Sequence, residues 1–144
     1  IRATLVGDSI NNNIIVAGAS GAIDSLWGAG GQSNTLIGGD GEDTFFYFKS
    51  VGYTDNDGVH HGSNDVIANA GTNDLVWLYD VTLNDLNVDT TSEGIVSGRV
   101  TVGLNDGSAL TVATSSSEVN FRISDGNNGW VDVKATGGSN HGWE

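Results

Sequence analysis

One stretch decides how this chain folds: Gly38-Gly39-Asp40-Gly41-Glu42-Asp43-Thr44-Phe45-Phe46. It fits the nine-residue pattern G-G-x-G-x-D-x-U-x, in which U is a large apolar residue. Its glycines allow positive φ in a tight turn and leave backbone carbonyls free to face an ion. Asp43 adds a carboxylate, the hard oxygen ligand that calcium prefers. Phe45 then points into the space between stacked strands.

Three worn copies of the pattern precede this stretch in the same register. They cover residues 7–15, 18–27 and 28–37, with Asn12, Asp24 and Asn34 at the aspartate place. Their apolar places are Ile14, Leu26 and Leu36. Because no unit this short buries its apolar side chain alone, residues 3–48 predict strands stacked as a parallel coil. Antiparallel hairpins with glycine turns are the alternative for this array.

Residues 49–64 interrupt the repeats with a polar loop. Its Asp55-Asn56-Asp57-Gly58 run lacks the closing Glu of an EF-hand, because Val66 stands at that place. His60 and His61 are interpreted as surface residues, with a transition-metal site as the alternative. No EF-hand is therefore expected in this segment.

Residues 64–80 predict two short strands around a glycine turn. Asp65 and Asp74 each precede an apolar run there, as Asp43 does in the complete copy. The coil is therefore expected to continue for further turns beyond the polar loop.

Residues 81–144 predict an antiparallel arrangement. Asp-Gly turns separate alternating runs at 95–104 and 109–113, and again at 119–124 and 130–135, which is a strong hairpin signal. Residues 81–86 predict a helical turn capped by Thr82. Residues 137–140 are interpreted as a frayed end or a linker.

Composition and charge exclude several classes of function and of structural site. The 144 residues carry a net charge of −13, so nothing neutralises the phosphates of a nucleic acid. The absence of cysteine excludes disulfides and zinc–thiolate sites. No apolar run reaches membrane-spanning length, and no signal peptide is visible. The opening residue Ile1 predicts a piece of a longer protein.

The complete unit, its worn copies and the run at 65–76 resemble the C-terminal RTX region of bacterial proteins secreted by the type I pathway. The resemblance covers about residues 5–80. It implies an all-β fold, with a short parallel β-roll of degenerate nonapeptide repeats over 1–80, interrupted by the loop at 49–64. An antiparallel β-sheet or sandwich cap over 81–144 is expected to pack on the roll as one compact unit.

The resemblance also implies calcium between turns, held by aspartates at the sixth place and by carbonyls of the glycine region. Carried over here, it implies Ca²⁺ between Asp24 and Asp43 on one edge, with Gly39 and Gly41 contributing. Asn12 and Asn34 fall on the other edge, which has lost charge. Further metal-ligand candidates are Asp65 and Asp74, although Asn69 and Ala70 depart from the family's D-x-I-x-D-F run.

The expected function is therefore structural. Calcium outside the cell is expected to screen the acidic turns, fold the module and stabilise a larger secreted or surface protein. No enzyme activity is expected, because neither G-x-S-x-G nor H-E-x-x-H occurs.

Two alternatives stay open. One is a carbohydrate- or partner-binding module of an adhesin or a polysaccharide-modifying enzyme, in which exposed aromatic residues stack on the ligand. The candidates are Trp27, Tyr53, Trp130 and Trp143, unless these rings serve only packing. The other is a calcium-free scaffold in which Asn12 and Asn34 hold their turns by side-chain hydrogen bonds.

Overall fold

The computed structural model describes residues 2–17 and 23–144, which are mostly β and contain no α-helix. Ile1 lies outside these ranges, and so do residues 18–22, which belong to the turn of the worn copy at 18–27. The strands are β1 (Arg2–Val6), β2 (Ile14–Val16), β3 (Ile23–Trp27), β4 (Thr35–Ile37), β5 (Thr44–Tyr47), β6 (Gly52–Thr54), β7 (His60–Gly62), β8 (Val66–Ala68), β9 (Leu75–Leu78), β10 (Arg99–Gly103), β11 (Ala109–Ala113), β12 (Glu118–Ser124), β13 (Trp130–Thr136) and β14 (Gly142–Trp143).

The strands form two mixed sheets and one small antiparallel pair. The first sheet has the order β1-β3-β5-β9-β12-β13-β14, and the second has the order β10-β11-β8-β4-β2. From β1 to β5 the chain alternates between the two sheets, and all neighbours in this part pair in parallel. The hairpin alternative for residues 3–48 is therefore wrong, and the predicted parallel pairing is confirmed.

Apolar side chains stack in register on the inner faces of both sheets and form the core. In the first sheet the row is Leu5, Leu26, Phe45, Val76, Phe121 and Val133. In the second sheet the row is Ile15, Leu36, Ile67, Val112 and Val100. Each strand adds one large side chain to a common interior, so each repeat buries its apolar side chain only against its neighbours.

The apolar place of the first worn copy is one residue later than predicted. Ile15 is buried, whereas Ile14 is 77 % exposed. The reason is the register of β2 on β4, which pairs Ile15 with Leu36 and so sets Asn13, not Asn12, beside Asn34. A shift of one residue in a strand exchanges its two faces.

The segment at 49–64 is more ordered than the predicted polar loop. It contains the antiparallel pair β6–β7, in which Tyr53 lies opposite His61. After this hairpin the chain alternates between the sheets again, because β8 pairs with β4 and β9 pairs with β5, both in parallel. The two strands predicted over 64–80 are therefore present, and both pair in parallel with strands of the repeat array. We call the parallel strands β1–β5, β8 and β9 the winding.

The C-terminal segment combines parallel and antiparallel pairing. β11 joins β8 and β12 joins β9 in parallel, while β10 and β13 add antiparallel neighbours. Both predicted hairpins are present, although β10 begins only at Arg99 because Ser97 and Gly98 form a turn with positive φ. A 3₁₀ helix follows Thr82, as expected, over Leu83–Asp85.

The prediction that residues 137–140 are a frayed end or linker is wrong. β14 pairs with β13, with Trp143 opposite Ala135, so residues 137–140 form the connecting turn. Gly138 has a φ of 88° in that turn, a conformation that favours glycine.

Candidate functional site: two columns of buried acidic and amide side chains

The first column lies at the start of the strands of the seven-stranded sheet and consists of Asp24, Asp43 and Asp74. Each side chain accepts the backbone N–H of the equivalent residue one strand towards the N-terminal edge. Asp24 Oδ1 accepts the Ala3 N–H at 3.0 Å, and Asp43 Oδ1 accepts the Asp24 N–H at 3.3 Å. Asp74 Oδ1 accepts the Asp43 N–H at 2.8 Å. This column therefore joins four strands of the winding.

The second column repeats the contact in the five-stranded sheet with Asn34 and Asp65. Asn34 Oδ1 accepts the Asn13 N–H at 2.9 Å, and Asp65 Oδ1 accepts the Asn34 N–H at 2.9 Å. The Asn34 amide also donates to Asp65 Oδ1 at 3.1 Å and to the Gly30 carbonyl at 2.9 Å. An amide replaces a carboxylate here without loss of the column.

Asn12 takes a different position from the one predicted, because Asn13 stands in the column. Asn12 Oδ1 accepts the N–H groups of Gln32 and Ser33, at 3.1 and 2.9 Å. Side-chain hydrogen bonds of Asn12 and Asn34 therefore do hold neighbouring turns together.

The four aspartates of the columns are buried, and residues 2–17 and 23–144 give them no cationic partner. Among the described residues, Lys49 pairs with Asp85, Arg122 with Asp132, Lys134 with Glu118, and His61 with Asp55. None of these ion pairs involves Asp24, Asp43, Asp65 or Asp74, which are at most 5 % exposed. Burial raises the pKa of the Asp43, Asp65 and Asp74 carboxyl groups above their ordinary value. Buried charge is costly unless it is paired, protonated or bound to a metal.

The glycines of the complete unit act differently from the prediction. Gly38, Gly39 and Gly41 are not among the residues with positive φ. Gly38 is needed for close approach, since a Cβ there would lie 2.8 Å from Phe45 Cζ. Gly39 donates its N–H to Asp43 Oδ2 at 3.0 Å, so it fixes that carboxylate within its own turn.

The donor chemistry of the first column fits a calcium ion. Its side-chain donors are carboxylate oxygens, and Asp24 Oδ2 is buried with no hydrogen-bond partner among the described residues. Within the same ranges, no three acidic or histidine side chains converge as a metal cluster. A cation here would therefore need backbone oxygens beside one or two carboxylates, which is a donor set that Ca²⁺ accepts.

The two adjacent histidines are engaged in polar contacts at the inserted hairpin. His61 Nε2 lies 2.7 Å from Asp55 Oδ2, and its Nδ1 lies 3.1 Å from the Asp106 carbonyl oxygen. The hydrogen bond to Asp55, with a second to Asp106, raises the pKa of His61. His60 Nε2 contacts the Lys49 carbonyl at 3.1 Å. His61 thus links the hairpin to the β10–β11 turn.

A row of aromatic side chains on the outer face of the seven-stranded sheet was not predicted as a unit. The rings in contact are Trp27, Phe46, Phe48, Trp77, Tyr79 and Trp130, with centroid distances of 4.8–5.7 Å. We call these six residues the aromatic face. The signal was available, because Trp27, Phe46 and Trp77 each directly follow a buried residue of the core row. Alternation in strands places such neighbours together on the opposite face.

The four aromatic candidates from the sequence fall in three places. Trp27 and Trp130 belong to the aromatic face. Trp143 packs on Phe121 and donates its Nε1–H to the Ser92 carbonyl at 2.7 Å. Tyr53 stacks on His61. Packing therefore accounts for Trp143 and Tyr53.

Comparisons with protein-family models, curated proteins and solved structures gave no match for this chain. In the described ranges, no helix has the length and apolar character needed to cross a bilayer.

Proposed function

We propose that this chain is a calcium-binding RTX module, in which the two-sheet winding is a parallel β-roll and residues 81–144 cap it. In this proposal the module folds outside the bacterial cell, after type I secretion, and stabilises a larger secreted or surface protein. Its role is structural, without catalysis.

The observation that carries the proposal is the burial of Asp24, Asp43, Asp65 and Asp74 without a cationic side chain from the part of the chain that the structure describes. Four such carboxylates in a chain with a net charge of −13 oppose folding at neutral pH. A divalent cation that binds only the folded winding would remove this opposition, and its binding free energy would become folding free energy.

The contacts of Asp43 support two roles for the column, hydrogen bonding to the backbone and binding of a cation. Each of its oxygens accepts one backbone N–H, from Asp24 and from Gly39. A carboxylate has about four lone-pair sites, so acceptor capacity is left for a cation. Asp24 Oδ2 has no partner among the described residues and is the favoured first ligand.

The test is a calcium titration of the chelator-stripped chain, followed by circular dichroism and thermal melting, with magnesium in a parallel series. At a calcium concentration 100-fold above Kd, we expect stabilisation of about 2.7 kcal/mol, or a rise in Tm of roughly 8 °C. Magnesium should give much less, since it needs a tighter octahedral site.

Matched variants locate the site. Asp24→Asn and Asp43→Asn should each lose most of the calcium-dependent rise in Tm. Asp57→Asn makes the same charge change at an exposed residue of the inserted hairpin and should keep the rise. If the stripped chain is folded and its Tm ignores calcium, the proposal is wrong and a calcium-free scaffold takes its place.

A further inference from the structure

The aromatic face ends in a cleft at the junction between the winding and the C-terminal hairpin. Trp77 and Tyr79 of the winding form one side, and Trp130 with the β12–β13 turn forms the other. The cleft has a volume of about 520 Å³, within the roughly 300–1,000 Å³ typical of small-ligand sites. Tyr79 and Trp130 are 51 % and 54 % exposed, which is unusual for rings that serve only packing.

Two rings of the cleft pack on one arginine. The Arg122 guanidinium lies 4.8 Å from the Trp77 ring centroid and 5.0 Å from that of Trp130, and the two indoles also contact each other, with 5.7 Å between their centroids. Asp132 fixes Arg122 in turn, through contacts of 2.7 Å to Nε and 3.2 Å to Nη2. Such preorganisation lowers the entropic cost of binding.

Polar groups are interleaved with the rings of the cleft. Asp80, Ser124 and Asn128 line it together with the glycines of the turn. Asn128 makes no side-chain hydrogen bond to the described residues, and its φ of 67° holds it at the tip of the turn. Ring faces beside hydrogen-bonding groups complement a sugar, which presents apolar C–H faces and hydroxyl edges.

The charges around the cleft require an uncharged occupant. Arg122 beside it is already neutralised by Asp132, and Lys49, whose backbone N–H binds Asp80, pairs with Asp85. Asp80 adds a carboxylate to the lining, and the chain as a whole carries −13. Uronates, sulfated glycans and a second copy of this acidic chain are therefore repelled. A protein partner would need about 800 Å² of contact surface, more than this cleft provides.

We propose that the cleft between Trp77, Tyr79 and Trp130 binds the sugar rings of a neutral polysaccharide. Trp130 and Tyr79 stack on pyranose faces, while Asn128 and Asp80 bind ring hydroxyls. This site is separate from the aspartate columns and does not rest on calcium binding.

The test is native affinity electrophoresis of the whole chain, in calcium, through gels containing one polysaccharide each. The neutral probes are hydroxyethyl cellulose, laminarin, xyloglucan, galactomannan and soluble starch, and the anionic ones are alginate and polygalacturonate. We expect retardation by at least one neutral probe and by neither anionic one. Trp130→Ala should weaken that retardation at least tenfold in Kd.

Controls separate the cleft from the fold. Trp130→Phe keeps a stacking ring and should stay within about threefold of the wild type in Kd, and Val131→Ala, at an exposed neighbour, should bind unchanged. Circular dichroism and Tm confirm that every variant is folded. The proposal is overturned if no neutral probe retards the chain, if only anionic probes do, or if folded Trp130→Ala binds like the wild type. It is equally overturned if sedimentation shows a dimer that Trp130→Ala dissociates.

Discussion

Asp74 Oδ1 accepts the amide N–H of Asp43 at 2.8 Å, so two buried aspartates of neighbouring strands are joined through the backbone. This contact gives the Asp74 carboxylate a backbone donor without a counter-charge, and the Asp43 carboxylate accepts the Asp24 and Gly39 N–H groups in the same way. Backbone donors offset part of the cost of burial, yet the pKa of both carboxyl groups stays raised because burial outweighs these bonds. Protonation of these residues therefore bears on the stability of the winding, and the proposed calcium ion would act on the same residues.

Asp65→Asn should stabilise the chelator-stripped chain at pH 7. The amide keeps Oδ1 as the acceptor for the Asn34 N–H and removes a buried charge. We expect a gain of about 1 kcal/mol in the free energy of unfolding, or roughly 3 °C in Tm. Thermal melting of both proteins in chelator measures it.

The pH dependence of that gain has a definite sign. Burial raises the folded-state pKa of Asp65 above its ordinary value of 3.8. The wild type therefore gains stability as the pH falls from neutral through the folded-state pKa towards 3.8. The advantage of Asp65→Asn over the wild type should therefore shrink towards pH 4. A difference that is independent of pH, or a wild type more stable at pH 7, would contradict the prediction.

Asn34→Asp should make the second column depend on calcium. The new carboxylate oxygen would face Asp65 Oδ1 and the Gly30 carbonyl, where the amide now donates at 3.1 and 2.9 Å. We expect a loss of about 2–3 kcal/mol in chelator, from unsatisfied acceptors and like charge. Calcium should restore more stability to Asn34→Asp than to Asn34→Ala, which lacks the charge. Equal effects of calcium on both variants would count against cation binding in this column.

Ile15→Ala and Ile14→Ala test the register of β2 on β4. Ile15 lies in the core row opposite Leu36, so its truncation should cost about 2–3 kcal/mol. Ile14 is 77 % exposed, and its truncation should change stability by less than about 0.5 kcal/mol. Denaturant unfolding of both variants measures the difference, and the reverse order would show that the register is shifted by one residue.

His61→Gln should lower Tm at pH 6 and leave it unchanged at alkaline pH. Both ring nitrogens face acceptors, and only the imidazolium has two N–H donors. The hydrogen bond to Asp55 raises the pKa of His61, so its contribution is complete below the ordinary value of 6.5 and is lost as pH rises through the folded-state pKa. Tm measured between pH 5.5 and 9 gives the profile. Asp55→Asn should remove the same pH dependence, and a profile unaffected by either variant would exclude the ion pair.

Local patterns predicted the larger elements of the fold because these elements depend on short-range signals. The nonapeptide at 38–46 predicted parallel strands, and the Asp-Gly turns at 106–107 and 125–126 predicted the two hairpins. The family resemblance implied that Asp24 and Asp43 share one edge, and the two residues do lie in one column.

Other features depend on pairing between distant segments, which local patterns do not specify. Asn11-Asn12-Asn13 offers three similar side chains, and only the stacking of β2 on β4 selects Asn13 for the column. The return of β14 onto β13 rests on long-range contacts such as that of Trp143 with Phe121. The cleft needs contact between Trp77 and Trp130, which lie 53 positions apart in sequence.

The two ends of the winding differ in a way that gives the molecule a direction. At one end the strand order closes with antiparallel strands, β10 in one sheet and β13–β14 in the other. At the opposite end β1 and β2 are edge strands, and Val6, Ile14 and Val16 there are more than half exposed. An edge of this kind pairs readily with another strand, whereas the antiparallel end stops the repeat. Additional parallel turns can therefore extend the winding at the β1–β2 edge, and its length can change over evolution without altering the antiparallel strands at the other end.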